Sequence, residues 1–310
     1  MIMQIISSPF PTSFPACVAT VGFFDGVHVG HRFLIEKLKS IAQEEHLPSV
    51  VITFDTHPRK VLHSDFQPKL LTTFEEKLEQ LSTTGVDICV VLNFTKEMSE
   101  LSAYEFLKNV LRDLFHVQTL LVGYDHHFGH NRAEGFEEYK KYGEELDIKV
   151  VRAERYSTPE LVHISSSTIR KALERGDIEL ANRLLTYPYS FLGKVKDGFK
   201  VGRTLGFPTA NVEPIDNDKL LPAIGVYAVR VKYNETFYKG MLDIGYRPTF
   251  GDSHQLFIEV HIIDFDKNIY QEILKIEFIQ RLRDEIKFNN VEELIEQMKK
   301  DKAQVLSMNF

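Results

Sequence analysis

Two histidines, His28 and His31, lie three residues apart and flank Gly30 at the point where a helix is predicted to begin. Backbone N–H groups and the dipole at a helix start favour a bound phosphate. Glycine lets the backbone approach that phosphate closely, because no side chain intervenes. Imidazole N–H groups can donate to phosphate oxygens, most usefully where charge builds up in a transition state. The spacing therefore predicts a phosphate site.

Two other interpretations of the histidine pair stay open from the residues alone. The rings could simply cap or pack against the helix start. They could also share a metal ion, although no cysteine or carboxylate partner is evident beside them. A Walker-type phosphate loop is excluded, because no Lys-Ser/Thr pair follows the glycines.

Strand-like and helix-like patterns alternate through the first half of the chain. Five apolar runs suit buried strands: 18–24, 49–55, 87–94, 119–125 and 148–154. Helical spacing follows His31 and recurs at 74–83, 102–114 and 134–145. This alternation predicts an α/β fold with a doubly wound parallel sheet, in which ligands bind beyond the carboxyl ends of the strands. The loops DGVHVGH, DTHPRK and YDHHFG follow three such ends and are expected to converge.

Further polar groups near this predicted edge suit phosphates. Arg59 offers bidentate contacts after the second strand, and Asp125 lies in a glycine-bounded loop after the fourth. Residues 165–170 place several hydroxyls and one cation at another helix start. Helix capping, an Asx turn and a solvated arginine are the ordinary alternatives for these groups.

The second half of the chain has a different pattern, of strand-like runs joined by turns. Such runs predict a small closed antiparallel barrel. Asn234-Glu235 and Asp266-Lys267-Asn268 are predicted as hairpin turns between neighbouring strands. The last element is predicted to be a helix from Val291 to about residue 305, with Asn290 as its N-cap.

Composition limits the class of protein. The 310 residues favour two domains, predicted at 1–186 and 187–310. A formal net charge of −7 argues against non-specific nucleic-acid binding. Cys17 and Cys89 lie in apolar runs, which favours buried thiols over a disulfide framework. No signal peptide or membrane-spanning run is evident, so a cytoplasmic protein with no membrane or nucleic-acid partner is expected.

The motifs resemble, in order, those of the bacterial bifunctional riboflavin kinase/FAD synthetase family. GFFDGVHVGH, TFDTHPRKVL, VGYDHHFG and ISSSTIRKAL lie in the first half. GRTLGFPTAN, GVYAV, DIGYRPTF, LFIEVHIIDF and LRDEIKF follow in the second half. The resemblance spans nearly the whole chain, and GRTLGFPTAN is its most specific part. It implies a Rossmann-like nucleotidylyltransferase followed by a flavokinase barrel, acting on riboflavin, FMN and ATP with Mg²⁺.

In the first module the resemblance implies that the FMN phosphate attacks the α-phosphorus of ATP and that pyrophosphate leaves. His28 and His31 are expected to stabilise the transition state, with Arg59 at the flavin substrate. The residues expected to bind ATP and its phosphates are Gly22, Phe24, Gly30, Asp125, Ser166, Thr168 and Arg170.

In the second module the resemblance implies that the riboflavin 5′-hydroxyl attacks the γ-phosphorus of ATP. Glu259 is expected to be the general base, and Thr209 and Asn211 are expected to hold Mg²⁺ and phosphate oxygens. The loop containing Gly198 and Gly202 is expected to wrap the nucleotide, and Arg283 is expected near the flavin.

Strand alternation places Glu259 on one face with Phe257 and Ile263. A carboxylate on such a mixed apolar face can have its pKa raised towards the range useful for a base. An outward-facing barrel glutamate, and plain turn residues for Thr209 and Asn211, are the alternatives from the residues alone.

Some positions differ from the residues usual in the family. Thr56 replaces a frequent proline, the pair Asp125-His126 differs from the common residues there, and Asp243 replaces a more usual asparagine.

The hypothesis is an enzyme that makes FMN and then FAD, with no obligate protein partner implied. Its rivals are a kinase with a weak or lost adenylyltransferase, and a flavin-binding protein without turnover. The retained candidate catalytic groups speak against the second rival.

Overall fold

The computed structural model describes residues 2–57, 60–61, 69–130, 134–157, 164–197, 205–248 and 254–310. Three of the predicted site residues, Arg59, Gly198 and Gly202, lie outside the described residues. The chain folds as two compact units, Met1–Ser166 and Ser167–Phe310. In the part of the chain that is described, no helix has the length and apolar character needed to span a bilayer.

The first unit contains a six-stranded sheet in which every pairing is parallel. Its strands are β1 (Gln4–Ser7), β2 (Cys17–Val21), β3 (Ser49–Phe54), β4 (Ile88–Leu92), β5 (Val117–Val122) and β6 (Lys149–Arg152). The spatial order β1-β4-β3-β2-β5-β6 confirms the predicted doubly wound fold. The chain leaves β2 towards β3 and β4 and later returns to β5 on its other side. The switch point between β2 and β5 is therefore where such sheets bind ligands.

Helices cover this sheet. They are α1 (Val29–Glu45), α2 (Phe74–Ser82), α3 (Lys96–Glu100), α4 (Ala103–Glu105), a π-helix (Phe106–Arg112) and α5 (Phe136–Glu145). The buried stripe of α1 consists of Ile35, Leu38, Ile41 and Ala42, at the predicted helical spacing. A capping box between Thr73 and Glu76 begins α2.

Strands β2, β3 and β4 are buried along their whole lengths, which explains their nearly continuous apolar runs. Successive residues of β2 enter different core clusters, one on each side of the sheet. Cys17 and Cys89 are buried free thiols, as predicted, and burial raises the pKa of each to about 12.

The second unit contains a closed six-stranded barrel of the order β10-β11-β8-β7-β12-β9, with antiparallel pairings throughout. Its strands are β7 (Ser190–Lys196), β8 (Ala210–Pro214), β9 (Gly225–Tyr233), β10 (Thr236–Pro248), β11 (His254–Ile262) and β12 (Ile273–Arg283). Its helices are α6 (Ser166–Glu174), α7 (Ile178–Leu185) and α8 (Val291–Ser307). The predicted barrel and C-terminal helix are confirmed.

One predicted hairpin turn is confirmed and the other is wrong. Asn234 and Glu235 join β9 to its neighbour β10, and both have positive φ (46° and 62°), as a type I′ turn requires. Asp266-Lys267-Asn268 joins β11 to β12, but β11 pairs with β8 and β10, whereas β12 pairs with β7 and β9. Barrel closure therefore separates two strands that follow each other in sequence, and a turn composition cannot reveal this.

Helices α6 and α7 pack within the second unit. The Asn182 side chain donates to the Phe278 carbonyl on β12 at 2.8 Å, and the Ala223 N–H donates to the Leu173 carbonyl at 2.9 Å. The boundary between the two compact units therefore lies after Ser166, earlier in the chain than the expected boundary at 186/187.

Helix α8 packs on one face of the barrel. Its N-cap is Asn290, as predicted, whose Oδ1 accepts from the Glu293 N–H at 2.9 Å. Its side chains Ile295, Met298 and Val305 pack with Phe207, Met241 and Ile263.

Candidate active sites

His28 caps α1 and thereby fixes its own tautomer. Its Nδ1 accepts from the His31 N–H at 3.3 Å, and only 5% of His28 is exposed. Because Nδ1 accepts, the proton of a neutral ring lies on Nε2. The rings of His28 and His31 stack, with centroids 3.7 Å apart. Capping and phosphate binding are therefore compatible, since the cap leaves Nε2–H available as a donor.

Two glycines make room for the aromatic rings of this loop. A Cβ on Gly30 would meet Cε1 of His28 at 3.2 Å and its Nδ1 at 3.3 Å. A Cβ on Gly22 would meet the ring of Phe24 at 3.0 Å. Phe24 has a φ of 57°, and its buried ring packs edge-on against His31 at 5.1 Å. Gly30 therefore admits the capping imidazole, a role that the sequence did not suggest.

Both histidines are neutral at pH 7. Burial lowers the pKa of His28 to about 4, against the opposing charge of Asp125. Burial also lowers the pKa of His31 well below its usual value, and the neighbouring His28 and His126 lower it further. Within the described chain, the buried Nδ1 of His31 has no hydrogen-bond partner. An unpaired buried polar atom is rare, and a ligand is one way to satisfy it.

Asp25 anchors the loop that carries the histidines. Its buried carboxylate accepts from the N–H groups of Leu71 at 3.0 Å and Thr72 at 3.1 Å. The Asp25 carbonyl accepts from the Ser166 hydroxyl at 2.9 Å, which places Ser166 beside this loop. Sequence reasoning missed this anchor, although an acidic residue in a turn directly after a buried strand was a signal for it.

Thr168 and Arg170 follow Ser166 along α6 and belong to the second unit. Of the three predicted site residues in this segment, Ser166 shares a unit with the histidines.

The three loops that were predicted to converge do so. After β3, the ring of His57 packs against Phe23 of the loop after β2, with centroids 4.6 Å apart. After β5, Asp125 lies near enough to His28 for its charge to act on that ring, as His126 does on His31. The sheet edge at the switch point therefore gathers the loops after β2, β3 and β5.

Lys77 is a second group that the sequence did not reveal. It lies on α2, is 2% exposed, and its Nζ donates to the Phe54 carbonyl at the end of β3 at 2.7 Å. The same Nζ lies 4.1 Å from the ring centroid of Phe23. Burial lowers the pKa of Lys77 to about 8, against the opposing charges of Asp25 and Asp55.

In the second unit, strand register places three polar residues side by side on neighbouring strands of the barrel. Glu259 on β11 pairs with Asn211 on β8 and with Asp243 on β10. Residues directly opposite each other on neighbouring strands project to the same face. The Thr209 hydroxyl donates to Oε2 of Glu259 at 3.2 Å and thereby orients the carboxylate.

Glu259, Thr209 and Arg283 line one cavity of about 290 Å³ between the barrel and α8. The rest of its wall is largely apolar and includes Leu205, Val226, Met241, Leu242, Phe257, Leu294 and Met298. The face that carries Glu259 is thus covered by α8 and is not an open barrel surface. Asn211 lines a neighbouring cavity of about 380 Å³, which shares Phe257 with the first.

Charged groups at the rim of the first cavity hold each other in place. Arg283 Nε and Nη2 lie 3.0 Å and 2.9 Å from Oδ2 of the buried Asp301 on α8. Burial and the charges of Glu285 and Asp301 raise the pKa of Asp243 to about 6, against the opposing charge of Arg283.

Of the residues that the structure describes, no three His, Cys, Asp or Glu side chains are grouped to hold a metal ion. The hydroxyl of Thr209, the amide oxygen of Asn211 and the nearby Glu259 carboxylate are hard oxygen donors, which suit Mg²⁺. The donor chemistry of the barrel site therefore fits a magnesium-dependent reaction.

Comparisons with known proteins agree over both units. Residues 11–168 match the family model described as FAD synthetase, and residues 185–309 match the one described as riboflavin kinase. A Listeria monocytogenes protein named bifunctional riboflavin kinase/FMN adenylyltransferase is 43% identical over 286 residues, covering 92% of this chain and 90% of the relative. The Bacillus subtilis protein of the same name is 41% identical, with 93% and 91% covered. The chain belongs to this family.

The bifunctional riboflavin kinase/FMN adenylyltransferase family also accounts for the two separate sites. A Streptococcus pneumoniae crystal structure shares the fold, with a TM-score of 0.88, 30% identity and 100% of both chains covered. The protein in that crystal structure is named a macrolide-efflux protein. The family models and the named relatives of this chain instead agree on flavin chemistry in both halves.

Proposed function

We propose that the second unit phosphorylates riboflavin to FMN and that the first transfers the adenylyl group of ATP to FMN, giving FAD and pyrophosphate. The observation that supports this most is that each unit carries its own phosphate-transfer geometry. One is the stacked histidine pair at the start of α1, and the other is the oriented Thr209–Glu259 pair in the barrel cavity.

In adenylyl transfer, an oxygen of the FMN phosphate bonds to the α-phosphorus while the bond from that phosphorus to the β-phosphate oxygen breaks. His28 Nε2–H and His31 donate to the α-phosphate oxygens as their negative charge grows. The rings are neutral in the free protein, and the charge of a nearby polyphosphate raises their pKa, so binding strengthens both donors. The first N–H groups of α1 add to the same stabilisation.

The other predicted groups of this site are assigned to the same reaction. Ser166, Thr168 and Arg170 at the start of α6 hold the leaving pyrophosphate, and Asp125 faces the histidines from the loop after β5. Gly22 and Gly30 leave room for the rings of Phe24 and His28 in this loop. Arg59 is assigned to the FMN phosphate.

In the kinase reaction, Glu259 takes the proton of the riboflavin 5′-hydroxyl as that oxygen attacks the γ-phosphorus and ADP leaves. The hydrogen bond from Thr209 orients this carboxylate, so the base needs no reorganisation during the reaction. Thr209 and Asn211 would hold Mg²⁺, which would supply positive charge to offset the negative charge of the ATP phosphates. Arg283 borders the flavin, and Gly198 and Gly202 lie in the loop assigned to the nucleotide.

We assign adenylyl transfer to residues 1–186 and the kinase to residues 187–310. Helices α6 and α7 lie within residues 1–186, although both pack in the second compact unit.

A single product assay tests the function. The full-length protein is incubated with riboflavin, ATP and Mg²⁺, and the flavins are separated by chromatography. FAD with transient FMN is expected. Accumulation of FMN alone would instead identify a kinase with a lost adenylyltransferase. No product despite flavin binding would identify a flavin carrier.

A further inference from the structure

His261 is a polar residue of the barrel cavity that the proposed kinase reaction does not use. It lies on β11 two residues after Glu259 and therefore shares its face. It is 6% exposed, and its Nδ1 lies 2.9 Å from the Pro208 carbonyl oxygen. A carbonyl can only accept, so Nδ1 carries the proton and Nε2 is left as an acceptor.

The Nε2 atom of His261 is buried and lacks a hydrogen-bond partner within the described residues. The ring cannot turn freely to find one, because Phe207 packs edge-on against it at 5.4 Å and Pro208 holds its other nitrogen. Burial lowers the pKa of His261, so the ring stays neutral and Nε2 keeps its lone pair at pH 7. A buried acceptor without a donor is unfavourable, and a bound donor removes that cost.

The cavity around His261 is rich in acceptors and poor in available donors. Oδ1 of Asp243 is also buried and unpaired in the described chain, and Glu259 adds a further carboxylate. The cation of the lining, Arg283, already donates to Asp301. Apolar side chains form most of the remaining wall. Such a cavity complements a ligand that joins an apolar body to a chain of hydroxyl groups.

We propose that Nε2 of His261 accepts a hydrogen bond from a hydroxyl of the polyol chain of the flavin substrate, which makes His261 a specificity-determining residue of the kinase. This inference rests on the proposed function of the second unit. A site built to pair with a substrate hydroxyl rejects an analogue that lacks it, because the buried acceptor is then left unpaired. His261 would thus favour flavins that carry a hydroxylated chain over those with a short alkyl group.

Two substitutions separate this role from a structural one. In His261→Asn the amide nitrogen can take the place of Nδ1 and still donate to Pro208, but no atom replaces Nε2. In His261→Gln the amide oxygen can reach the place of Nε2, while the bond to Pro208 is lost. The first variant keeps the structural contact, and the second keeps the proposed ligand contact.

The probes are riboflavin and lumiflavin, which share the ring system but differ in that lumiflavin has a methyl group in place of the polyol chain. Dissociation constants are measured by flavin fluorescence quenching with the full-length protein. His261→Asn is expected to weaken riboflavin binding about tenfold, the size of one hydrogen bond, and to change lumiflavin binding less than about twofold. His261→Gln is expected to bind riboflavin within about threefold of the wild type.

Equal weakening of both flavins by His261→Asn would show a packing role and would overturn the inference, as would unchanged binding of both. Should His261→Asn fail to fold, His261→Gln decides alone: the wild-type preference for riboflavin over lumiflavin supports the inference, and its loss refutes it. If the wild type binds no riboflavin, the proposed kinase function itself is refuted. If the wild type binds riboflavin no better than His261→Asn does, the inference about His261 is refuted and the proposed function is not.

Discussion

The two candidate sites are built in opposite ways. The first is assembled from loops beyond the ends of β2, β3 and β5, and its position depends on backbone turns and a helix cap. The second is a row of side chains on three neighbouring barrel strands, Asn211, Glu259 and Asp243, and its position depends on register. Sliding one strand by a single residue would move its member of that row to the other face. Substitution of a glycine should therefore disturb the site that is built from loops. Substitution of the aligned side chains themselves should disturb the site that depends on strand register.

The two sites also respond to pH in opposite directions. Burial holds the pKa of His28 at about 4, so its contribution to stability is full above the ordinary histidine pKa and is lost as the pH falls towards 4. The pKa of Asp243 is raised to about 6, so the folded state binds its proton more tightly than the unfolded chain does. Stability from Asp243 is therefore full at low pH and is lost as the pH rises through 6. The neutral first site is suited to an anion, whereas the acidic second site is suited to cations and hydroxyl donors.

The largest expected effect comes from removing both imidazoles of the first site. Replacing His28 and His31 together by Ala should lower FMN adenylylation about 10⁴-fold, because two donors to the transition-state charge are lost. Riboflavin phosphorylation should stay within about twofold, since the barrel site is untouched. Separate assays of the two half-reactions measure this, and loss of both activities in a folded protein would contradict two independent sites.

Glu259→Gln is the reciprocal change. It keeps the shape of the side chain and removes the base, so riboflavin phosphorylation should fall about 10³-fold while FMN adenylylation is retained. The matched control is Glu213→Gln, at an exposed barrel glutamate paired with Lys196. Initial rates of ADP release with riboflavin distinguish the two variants, and equal rates would show that Glu259 is not the general base.

Gly30→Ala tests the loop construction of the first site. The new Cβ would displace the His28 ring, which it meets at 3.2 Å, so adenylylation should fall about tenfold. Thermal stability should change little, because the preference of a helix for Ala over Gly, up to about 1 kcal/mol, offsets the weakened His28 cap. Ser40→Ala on the exposed side of α1 is the control. A drop in melting temperature matching the drop in activity would indicate general damage instead.

The smallest expected effect concerns Asp243. Asp243→Asn removes a carboxylate that is unfavourable when ionised, so the free energy of unfolding at about pH 8 should rise by about 1 kcal/mol. At about pH 4, where the native side chain is protonated, no gain is expected. Urea unfolding at both pH values measures the difference, with Asp197→Asn at an exposed position as the control. An equal gain at both pH values would locate the effect in packing.

Much of the first unit was predictable, because local and periodic patterns in the sequence determine its strands and helices. Continuous apolar runs predict strands buried on both faces, and parallel strands place the loops after them at one edge. The convergence of His28, His57 and Asp125 follows from that rule. The short edge strand β1 escaped prediction because most of its residues are exposed and its sequence lacks a buried run.

The second unit was less predictable, because its key relations are non-local. The alternation along β11 places Phe257 and Glu259 on one face, and it could have drawn attention to His261 as well. That Asp243 lies directly opposite Glu259, and that β11 and β12 are not neighbours, depends on barrel closure. The buried partners of Asp25 and Lys77 are likewise set by tertiary packing, which residue spacing does not encode.

Acylation of Lys77 can report local opening of the first unit. Its amine is buried at the end of β3, so an acylating reagent can modify it only when α2 moves away from that strand. The second unit has its own counterpart in Lys219, which is 5% exposed with its Nζ 4.7 Å from the ring centroid of Tyr189. Peptide mass spectrometry of the two acylated lysines over time therefore gives a separate opening rate for each unit of one intact chain.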